Sequence, residues 1–220
     1  MTPLVLFDLD GTLVDTPTAI VDNFTATLAS LGFPAAEAPA IRATIGRPLG
    51  EAFGELMGTR PESDAVAAAM VRYQEFYRER IVPRARELLY PGVAEGLAAL
   101  HADDHLLAIA TSKFTASAEI LLTAAGLREY FALVVGADGV SRPKPDPEVG
   151  LLICEKLGFQ PSQAIMVGDT THDLHMARNA GLRSIAVTYG IHSTAELRTA
   201  DPTWIVDTFD AVTDRIGRAG

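Results

Sequence analysis

Two acidic segments of this 220-residue chain have the residue types and spacing for a metal-assisted reaction. Asp8 and Asp10 are two residues apart, so their side chains point to the same side of extended backbone. Asp169 and Asp173 belong to a second segment far along the chain. Two carboxylates about 4 Å apart repel by about 4 kcal/mol at an effective dielectric constant of about 20. A pocket with all four acids would therefore need a cation, and oxygen ligands without a His or Cys cluster favour Mg²⁺.

The other polar groups near these segments suit a phosphoryl group. Lys144 lies between two prolines and supplies a fixed positive charge. Thr12, Thr111 or Ser112, and the backbone N–H groups of the turn at Gly11, can donate hydrogen bonds to phosphoryl oxygens. Carboxylates, hydroxyls and one lysine around a cation indicate phosphoryl transfer through an aspartyl-phosphate.

Strands and helices alternate in the parts of the chain that carry these residues. A short apolar run at 3–9 predicts a buried strand that ends in a turn. The later pattern predicts helices at about 93–100, 116–125, 147–157 and 173–180, and strands at about 106–110, 132–135, 164–167, 184–187 and 203–206. Such alternation predicts an α/β fold with a doubly wound parallel sheet. Ligands of these sheets bind beyond the carboxyl ends of the strands, where the acids, hydroxyls and lysine are expected.

The segment from about residue 16 to residue 80 has a different pattern. Apolar residues recur at helical spacing and no strand is evident. We therefore predict a small α-helical insertion at 15–89, within a core made of 1–14 and 90–220. Asp15 is expected to be a helix N-cap.

Composition and charge exclude several classes of protein. The chain has 18 basic and 28 acidic residues, a net charge of −10, which argues against a nucleic-acid-binding surface. Its single cysteine, Cys154, excludes an internal disulfide and a multi-cysteine metal site, and is expected in the core. A secretory signal and an apolar run long enough for a membrane helix are not evident. We expect a cytoplasmic protein without nucleic-acid or membrane partners, and monomer and homodimer both stay open.

Four motifs resemble those of the haloacid dehalogenase superfamily. They are DLDGT at Asp8, TS at Thr111, the lysine of RPKPDP at Lys144, and GDTTHD at Gly168. The match spans nearly the whole chain and includes the helical insertion, which resembles that family's small cap. IGRPLGEAF in the cap, GDTTHDLHMARNAG and the late ADPTWIVDTF are similar to the phosphoglycolate phosphatase-like branch. The resemblance implies a Rossmann-like core and a phosphoric monoester hydrolase.

The resemblance also implies a role for each motif residue. Asp8 would be the nucleophile and a Mg²⁺ ligand. Asp10 would protonate the leaving oxygen and then deprotonate the hydrolytic water, and its backbone carbonyl would bind the metal. Asp169 would bind the metal directly, and Asp173 directly or through water. The phosphoryl group would be held by Lys144 and by Thr111 or Ser112.

Several alternative functions stay open on these motifs. The family's dehalogenases and phosphonatases lack an acid at the position of Asp10, and its sugar phosphomutases tend to lack one at that of Asp173. The presence of Asp10 favours hydrolysis of a phosphate ester or anhydride, or a mutase, and the presence of Asp173 favours a hydrolase over a mutase. Phosphoglycolate leads the candidate substrates, with nucleotides, pyrophosphate and sugar phosphates as alternatives. Arg47 in the cap is a candidate contact to an anionic leaving group. A receiver-like signalling switch also uses an aspartyl-phosphate, but its phosphorylated Asp lies away from the first strand and it has no cap.

Overall fold

The fold combines a six-stranded sheet with α-helices. The computed structural model describes residues 2–218. The strands are β1 Leu4–Phe7, β2 Leu107–Ala110, β3 Phe131–Val135, β4 Ala164–Gly168, β5 Arg183–Val187 and β6 Trp204–Val206. The helices are α1 Pro17–Ser30, α2 Ala38–Arg42, α3 Leu49–Leu56, α4 Asp64–Arg80, α5 Val93–Ala102, α6 Thr115–Ala125, α7 Glu148–Leu157, α8 Thr171–Ala180, α9 Thr194–Thr199 and α10 Phe209–Gly217.

The sheet is parallel throughout and has the strand order β3-β2-β1-β4-β5-β6. The chain builds outward from β1 in one direction through β2 and β3, and in the other through β4, β5 and β6. The strand order therefore reverses at β1, the position where doubly wound sheets form their ligand site. The predicted fold class is confirmed. Among the described residues, none of the helices is both long and apolar enough to cross a membrane.

Both faces of the sheet are buried, as alternate residues of β1 show. Val5 and Phe7 belong to a core cluster with residues of α5 and α10. Leu4 and Leu6 belong to a second cluster with residues of α7 and α8, which includes the buried Cys154 as predicted. Because successive side chains of a strand point to opposite faces, a strand covered on both sides must be apolar throughout. This burial makes β1 a rigid support for the polar residues that follow it.

The first strand is shorter than the predicted segment 3–9. It ends at Phe7, and the chain then turns so that the carbonyl of Leu9 accepts hydrogen bonds from the N–H groups of Leu13 and Val14, at 3.0 and 3.1 Å. Gly11 has a φ of +85°, a left-handed conformation that glycine adopts without steric cost. The turn starts earlier than predicted because the apolar pattern continues through Leu9 although the strand pairing does not.

Helices α1–α4 occupy the insertion, and the structure assigns no strand between them. An aromatic cluster holds them together: the ring of Phe24 in α1 lies 4.6 Å from Phe53 in α3 and 4.8 Å from Tyr73 in α4. The two ends of the insertion lie side by side, because the Asp15 N–H donates to the Leu88 carbonyl at 2.6 Å. Both ends of the insertion therefore lie beside the turn after β1.

The prediction that Asp15 caps a helix is wrong. Thr16 is the N-cap position of α1, and no side chain caps this helix. The Asp15 carboxylate instead accepts a hydrogen bond from the Tyr90 hydroxyl at 3.2 Å. The helix starts only after Asp15, because Val14 forms a bridge with Leu89 of the returning segment and the Thr16 N–H then donates to the Val14 carbonyl at 2.9 Å, in a tight turn at Asp15.

Candidate functional site

Asp8 is the first residue after β1 and lies at the centre of the site. Its backbone N–H donates to the Val167 carbonyl at 2.9 Å, which continues the sheet pairing by one residue. Asp8 is only 3% exposed. Its Oδ1 atom lies 3.0 Å from the Lys144 ammonium nitrogen, as an ion pair without good hydrogen-bond geometry. The position combines a sheet-paired backbone with a buried carboxylate.

Lys144 reaches the same point from the loop between β3 and α7. It is 5% exposed, and its Nζ donates to the Ala110 carbonyl at 3.0 Å and to Asp173 Oδ1 at 2.6 Å. Burial alone would lower the pKa of Lys144, but the negative charges of Asp173 and Asp8 raise it above the ordinary value. The side chain is therefore a permanently charged cation among the acids, at the place where the sequence predicted one.

Asp169 and Asp173 are contributed by the end of β4 and by the first turn of α8. Asp169 accepts hydrogen bonds from the Thr12 hydroxyl at 2.7 Å and from the Ile191 N–H at 2.8 Å. Asp173 accepts one from the Thr170 hydroxyl at 2.7 Å in a capping box at the start of α8. These bonds fix both carboxylates before any ligand binds.

Three of the four predicted acids form one cluster. Carboxylate oxygens of Asp8, Asp169 and Asp173 lie within 4.8 Å of one another, and all three residues are buried. Burial raises the pKa of Asp8 to about 7, although the neighbouring Lys144 opposes this. Burial and the charges of Asp173 and Asp8 also raise the pKa of Asp169 well above its usual range. A cation bound among these acids would offset that cost, and an all-oxygen donor set fits Mg²⁺.

Two glycines lie so close to the Asp169 side chain that a Cβ atom at either position would overlap it. A Cβ atom at Gly11 would lie 2.2 Å from Asp169 Oδ2, and one at Gly190 would lie 2.3 Å from the same atom. The loop of Gly190 follows β5, and Tyr189 in that loop donates its hydroxyl to the Thr12 carbonyl at 3.0 Å. Sequence reasoning missed this loop, because nothing in its composition marks it as part of the site.

Asp10 stands apart from the cluster of three acids. Its Oδ1 accepts a hydrogen bond from the Thr16 hydroxyl at 2.6 Å, and its Oδ2 lies 3.0 Å from the Lys113 ammonium nitrogen. Burial would lower the pKa of Lys113, but the charge of Asp10 raises it above the ordinary value. The Lys113 nitrogen also lies 4.3 Å from the centroid of the Tyr77 ring. Sequence reasoning missed Lys113, although it directly follows the Thr111-Ser112 motif.

A cavity between the sheet edge and the helical insertion opens onto these residues. Asp8, Asp10, Thr111 and Ser112 line it from the core side. Within the described residues the Ser112 hydroxyl oxygen is buried without a hydrogen-bond partner, whereas the Thr111 hydroxyl accepts from the Lys113 N–H at 3.3 Å. The insertion contributes aliphatic and aromatic side chains on the opposite side.

Three predicted phosphate or substrate contacts have other partners in this structure. The Gly11 N–H donates to the Val14 carbonyl at 2.9 Å, and the Thr12 hydroxyl donates to Asp169. Arg47 lines the cavity, but its guanidinium donates to Glu55 at 2.6 Å. The phosphate contacts of Gly11 and Thr12 and the substrate contact of Arg47 stay predictions.

The geometry can be compared with that of known proteins. A 54% identical relative, over 96% of this chain and 92% of its own length, is named "Probable phosphatase IndB" in Dickeya dadantii. A phosphoglycolate phosphatase of Nitrosospira multiformis is 34% identical over 98% of this chain and 96% of its own length. A solved structure titled as a predicted phosphoglycolate phosphatase from Haemophilus somnus superposes with a TM-score of 0.85 at 27% identity, covering 97% of each chain.

The family match covers both the sheet and the insertion. The model of the family described as "Haloacid dehalogenase-like hydrolase" matches residues 5–187, from β1 to the end of β5. That range contains all four acids, Lys144 and Lys113, in the chain order that the motifs predicted. The buried acid cluster at the end of β1 and this match lead to one conclusion: the chain belongs to the haloacid dehalogenase-like hydrolase family.

Proposed function

We propose that this protein is a Mg²⁺-dependent phosphatase that hydrolyses a small phosphorylated metabolite through an aspartyl-phosphate at Asp8. One observation carries the proposal. A buried carboxylate at the end of the central strand lies 3.0 Å from a buried lysine, within a cluster of three acids, and faces a cavity that also contains Asp10. A nucleophile and a second acid on one cavity, with a fixed cation beside the nucleophile, are the groups that phosphoryl transfer requires.

Asp8, Asp169 and Asp173 are the residues that would hold Mg²⁺, together with the backbone carbonyl of Asp10. The fit rests on the donor set, three buried carboxylates whose oxygens lie within 4.8 Å of one another. Bound there, Mg²⁺ would supply the positive charge that lets these acids ionise together and that neutralises phosphoryl oxygens.

The proposed hydrolysis has two steps. In the first, an Asp8 oxygen bonds to phosphorus, the bond from phosphorus to the leaving oxygen breaks, and Asp10 gives its proton to that oxygen. In the second, a water oxygen bonds to phosphorus, the bond to Asp8 breaks, and Asp10 takes the proton from the water. The products are an alcohol and inorganic phosphate, and both aspartates return to their starting state.

The phosphoryl oxygens would be bound by Lys144 and Ser112. Lys144 already lies 3.0 Å from the Asp8 carboxylate, so its charge acts where phosphoryl charge would develop. Of the two hydroxyl residues left open by the sequence, Ser112 is favoured. Its hydroxyl oxygen is buried and unpartnered among residues 2–218, whereas that of Thr111 is bonded to the chain.

We further propose that residues 15–89 act as a cap domain over a core formed by 1–14 and 90–220. The side-by-side arrangement of Asp15 and Leu88 supports this division, since a segment joined at one point can move as a unit. A cap over Asp8 would exclude bulk water during the reaction and select the leaving group. A cytoplasmic location and a monomeric or homodimeric state stay predictions.

The relatives' names supply the leading candidate substrate. Several relatives that are 31–34% identical to this chain are named phosphoglycolate phosphatase. Another relative, 34% identical over 186 residues, is named N-acetylmuramic acid 6-phosphate phosphatase. Phosphoglycolate therefore stands first among the substrates to test, with sugar phosphates and nucleotides beside it.

The proposed function is tested by measuring phosphate release from a panel of phosphorylated metabolites, with Mg²⁺ and with excess chelator. We expect release from at least one member with Mg²⁺ and none with chelator. The Asp8→Asn variant should release none under either condition. Full activity in chelator would contradict the metal requirement, and the absence of release from every ester would contradict the phosphatase assignment.

A further inference from the structure

The side of the cavity that faces Asp8 from the insertion is mostly apolar and aromatic, although Thr44, Arg47 and Gln74 also line it. We call it the cap chamber and define it by Phe24, Ile45, Leu49, Tyr73 and Tyr77, with Phe114 from the core. Phe24, Tyr73 and Tyr77 are each at most 6% exposed. A phosphate ester held at Asp8 would place its leaving group in this chamber. The residues of this lining therefore indicate which kind of alcohol the reaction would release.

The two basic side chains that line the cavity beyond the Asp8 cluster already have acidic partners. The Arg47 guanidinium lies 2.6 Å from Glu55 and 3.9 Å from Glu51. The Lys113 ammonium lies 3.0 Å from Asp10. A second negative charge on the leaving group would meet no cation free of an acidic partner, and it would also face the carboxylates of Asp8 and Asp10. The charge pattern thus disfavours an anionic leaving group such as glycolate.

The cap chamber does contain an unused hydrogen-bonding group. The Tyr77 hydroxyl oxygen is buried without a hydrogen-bond partner among the described residues, and Tyr77 is 3% exposed. Buried polar groups of native proteins are nearly always paired, so the unpaired Tyr77 hydroxyl in this cavity is available to pair with a bound ligand. The hydroxyl can donate to a hydroxyl or carbonyl oxygen, or accept from a hydroxyl.

We propose that the leaving group is a neutral hydroxylated ring, whose apolar face packs on the aromatic side chains of the cap chamber and whose oxygen pairs with Tyr77. This inference rests on the proposed function, and it narrows the substrate to the phosphate monoester of a sugar or of a nucleoside. Rings pack well on aromatic side chains, and a polar group placed opposite a single donor fixes their orientation. Phosphoglycolate has no ring, and its leaving group is negatively charged.

A comparison of five phosphate esters tests the leaving-group class. The esters are ribose 5-phosphate, a pyrimidine nucleoside 5′-monophosphate, glycerol 3-phosphate, phosphoglycolate and p-nitrophenyl phosphate. We expect kcat/KM to be at least tenfold higher for ribose 5-phosphate or the nucleotide than for phosphoglycolate and glycerol 3-phosphate, and the better of the two identifies sugar or nucleoside. Higher kcat/KM for phosphoglycolate than for both ring esters would overturn the inference and leave the proposed function intact. Absence of release from all five would overturn both.

Single substitutions test the two structural arguments separately. Tyr77→Phe removes only the hydroxyl, and we expect the ratio of kcat/KM for the preferred ring ester to that for p-nitrophenyl phosphate to fall five- to tenfold. Tyr130→Phe is the matched control, because Tyr130 lies beside His101 on the core. Glu55→Gln should raise kcat/KM for phosphoglycolate relative to the ring ester, since it releases Arg47. An unchanged ratio in Tyr77→Phe, equal to that of Tyr130→Phe, would overturn the assignment of Tyr77.

Discussion

Among the individual residues of the site, the acids form ion pairs with two different lysines. Lys144 lies 3.0 Å from Asp8 and 2.6 Å from Asp173, and Lys113 lies 3.0 Å from Asp10. Each lysine keeps its charge because the attraction of its acidic partners exceeds the cost of burial. The proposed nucleophile and the proposed acid–base residue therefore have separate cations.

The role of Lys113 as a positioning residue can be measured through leaving-group dependence. Lys113→Met removes the ion pair that orients Asp10, so proton donation to the leaving oxygen should weaken. We expect kcat/KM for an alkyl phosphate to fall by about 10- to 150-fold, the equivalent of about 1.5–3 kcal/mol for a charged hydrogen bond. The loss should be smaller for p-nitrophenyl phosphate, whose leaving group needs little protonation.

Lys156→Met is the matched control, because Lys156 is exposed in α7. An equal loss of kcat/KM for both esters in Lys113→Met would show that the side chain acts on the phosphoryl group rather than through Asp10.

At the scale of elements, the site is made from strand ends and the turns that follow them. Asp8 follows β1, Thr111 follows β2 and Asp169 follows β4, so three neighbouring strands deliver polar residues to one edge. These residues could be predicted from the sequence because each directly follows an apolar run, and parallel strands share an edge. The register of β1 against β4, with Phe7 opposite Val167, then brings Asp8 beside Asp169.

Other parts of the site could not be predicted, for a physical reason. Lys113 and Ile191 contact the acids only after the chain has folded; Ile191 follows no distinctive pattern, and the motif before Lys113 does not show that its side chain reaches Asp10. The N-cap prediction for Asp15 is wrong because local propensity favours a cap, whereas the Asp15 N–H pairs with the Leu88 carbonyl and the helix begins one residue later, with Thr16 at the N-cap position. Local sequence predicts helices and strands, but contacts between distant segments decide which polar groups already have hydrogen-bond partners.

The loop after β5 offers a test of how closely the elements fit around Asp169. A Cβ atom at Gly190 would lie 2.3 Å from Asp169 Oδ2, so Gly190→Ala must displace that carboxylate or the loop. Since Asp169 is a proposed metal ligand, we expect the Mg²⁺ concentration for half-maximal activity to rise about 10- to 100-fold. Gly217→Ala is the control, because a Cβ there meets no atom within 4 Å. An unchanged Mg²⁺ requirement in Gly190→Ala would contradict the assigned role of Asp169.

At the scale of the whole molecule, stability and metal binding are coupled through the buried acids. Burial raises the pKa of Asp8 from 3.8 to about 7, with Lys144 opposing the shift. The folded protein without metal therefore holds this proton more tightly than the unfolded chain does. The stability from this group is fully present below about pH 4 and is lost as the pH rises through about 7. The raised pKa of Asp169 acts in the same direction.

Mg²⁺ should reverse this loss, because metal binding requires the ionised carboxylates. We expect the increase in Tm on adding Mg²⁺ to chelator-treated protein to be larger at pH 8 than at pH 5. Asp8→Asn should reduce that difference, since it removes one titrating ligand. Equal increases at both pH values in the unmodified protein would contradict the coupling, and thermal unfolding followed by circular dichroism measures them.

The covalent intermediate at Asp8 is the central claim, and rapid acid quench tests it most directly. The protein is mixed with Mg²⁺ and an ester carrying ³²P in its phosphoryl group, quenched in acid within milliseconds, and digested for peptide mapping. We predict acid-stable label on the peptide that contains Asp8 in the unmodified protein, and none in Asp8→Asn. Label that persists in Asp8→Asn, or label found only on another peptide, would contradict the assignment of Asp8 as the nucleophile.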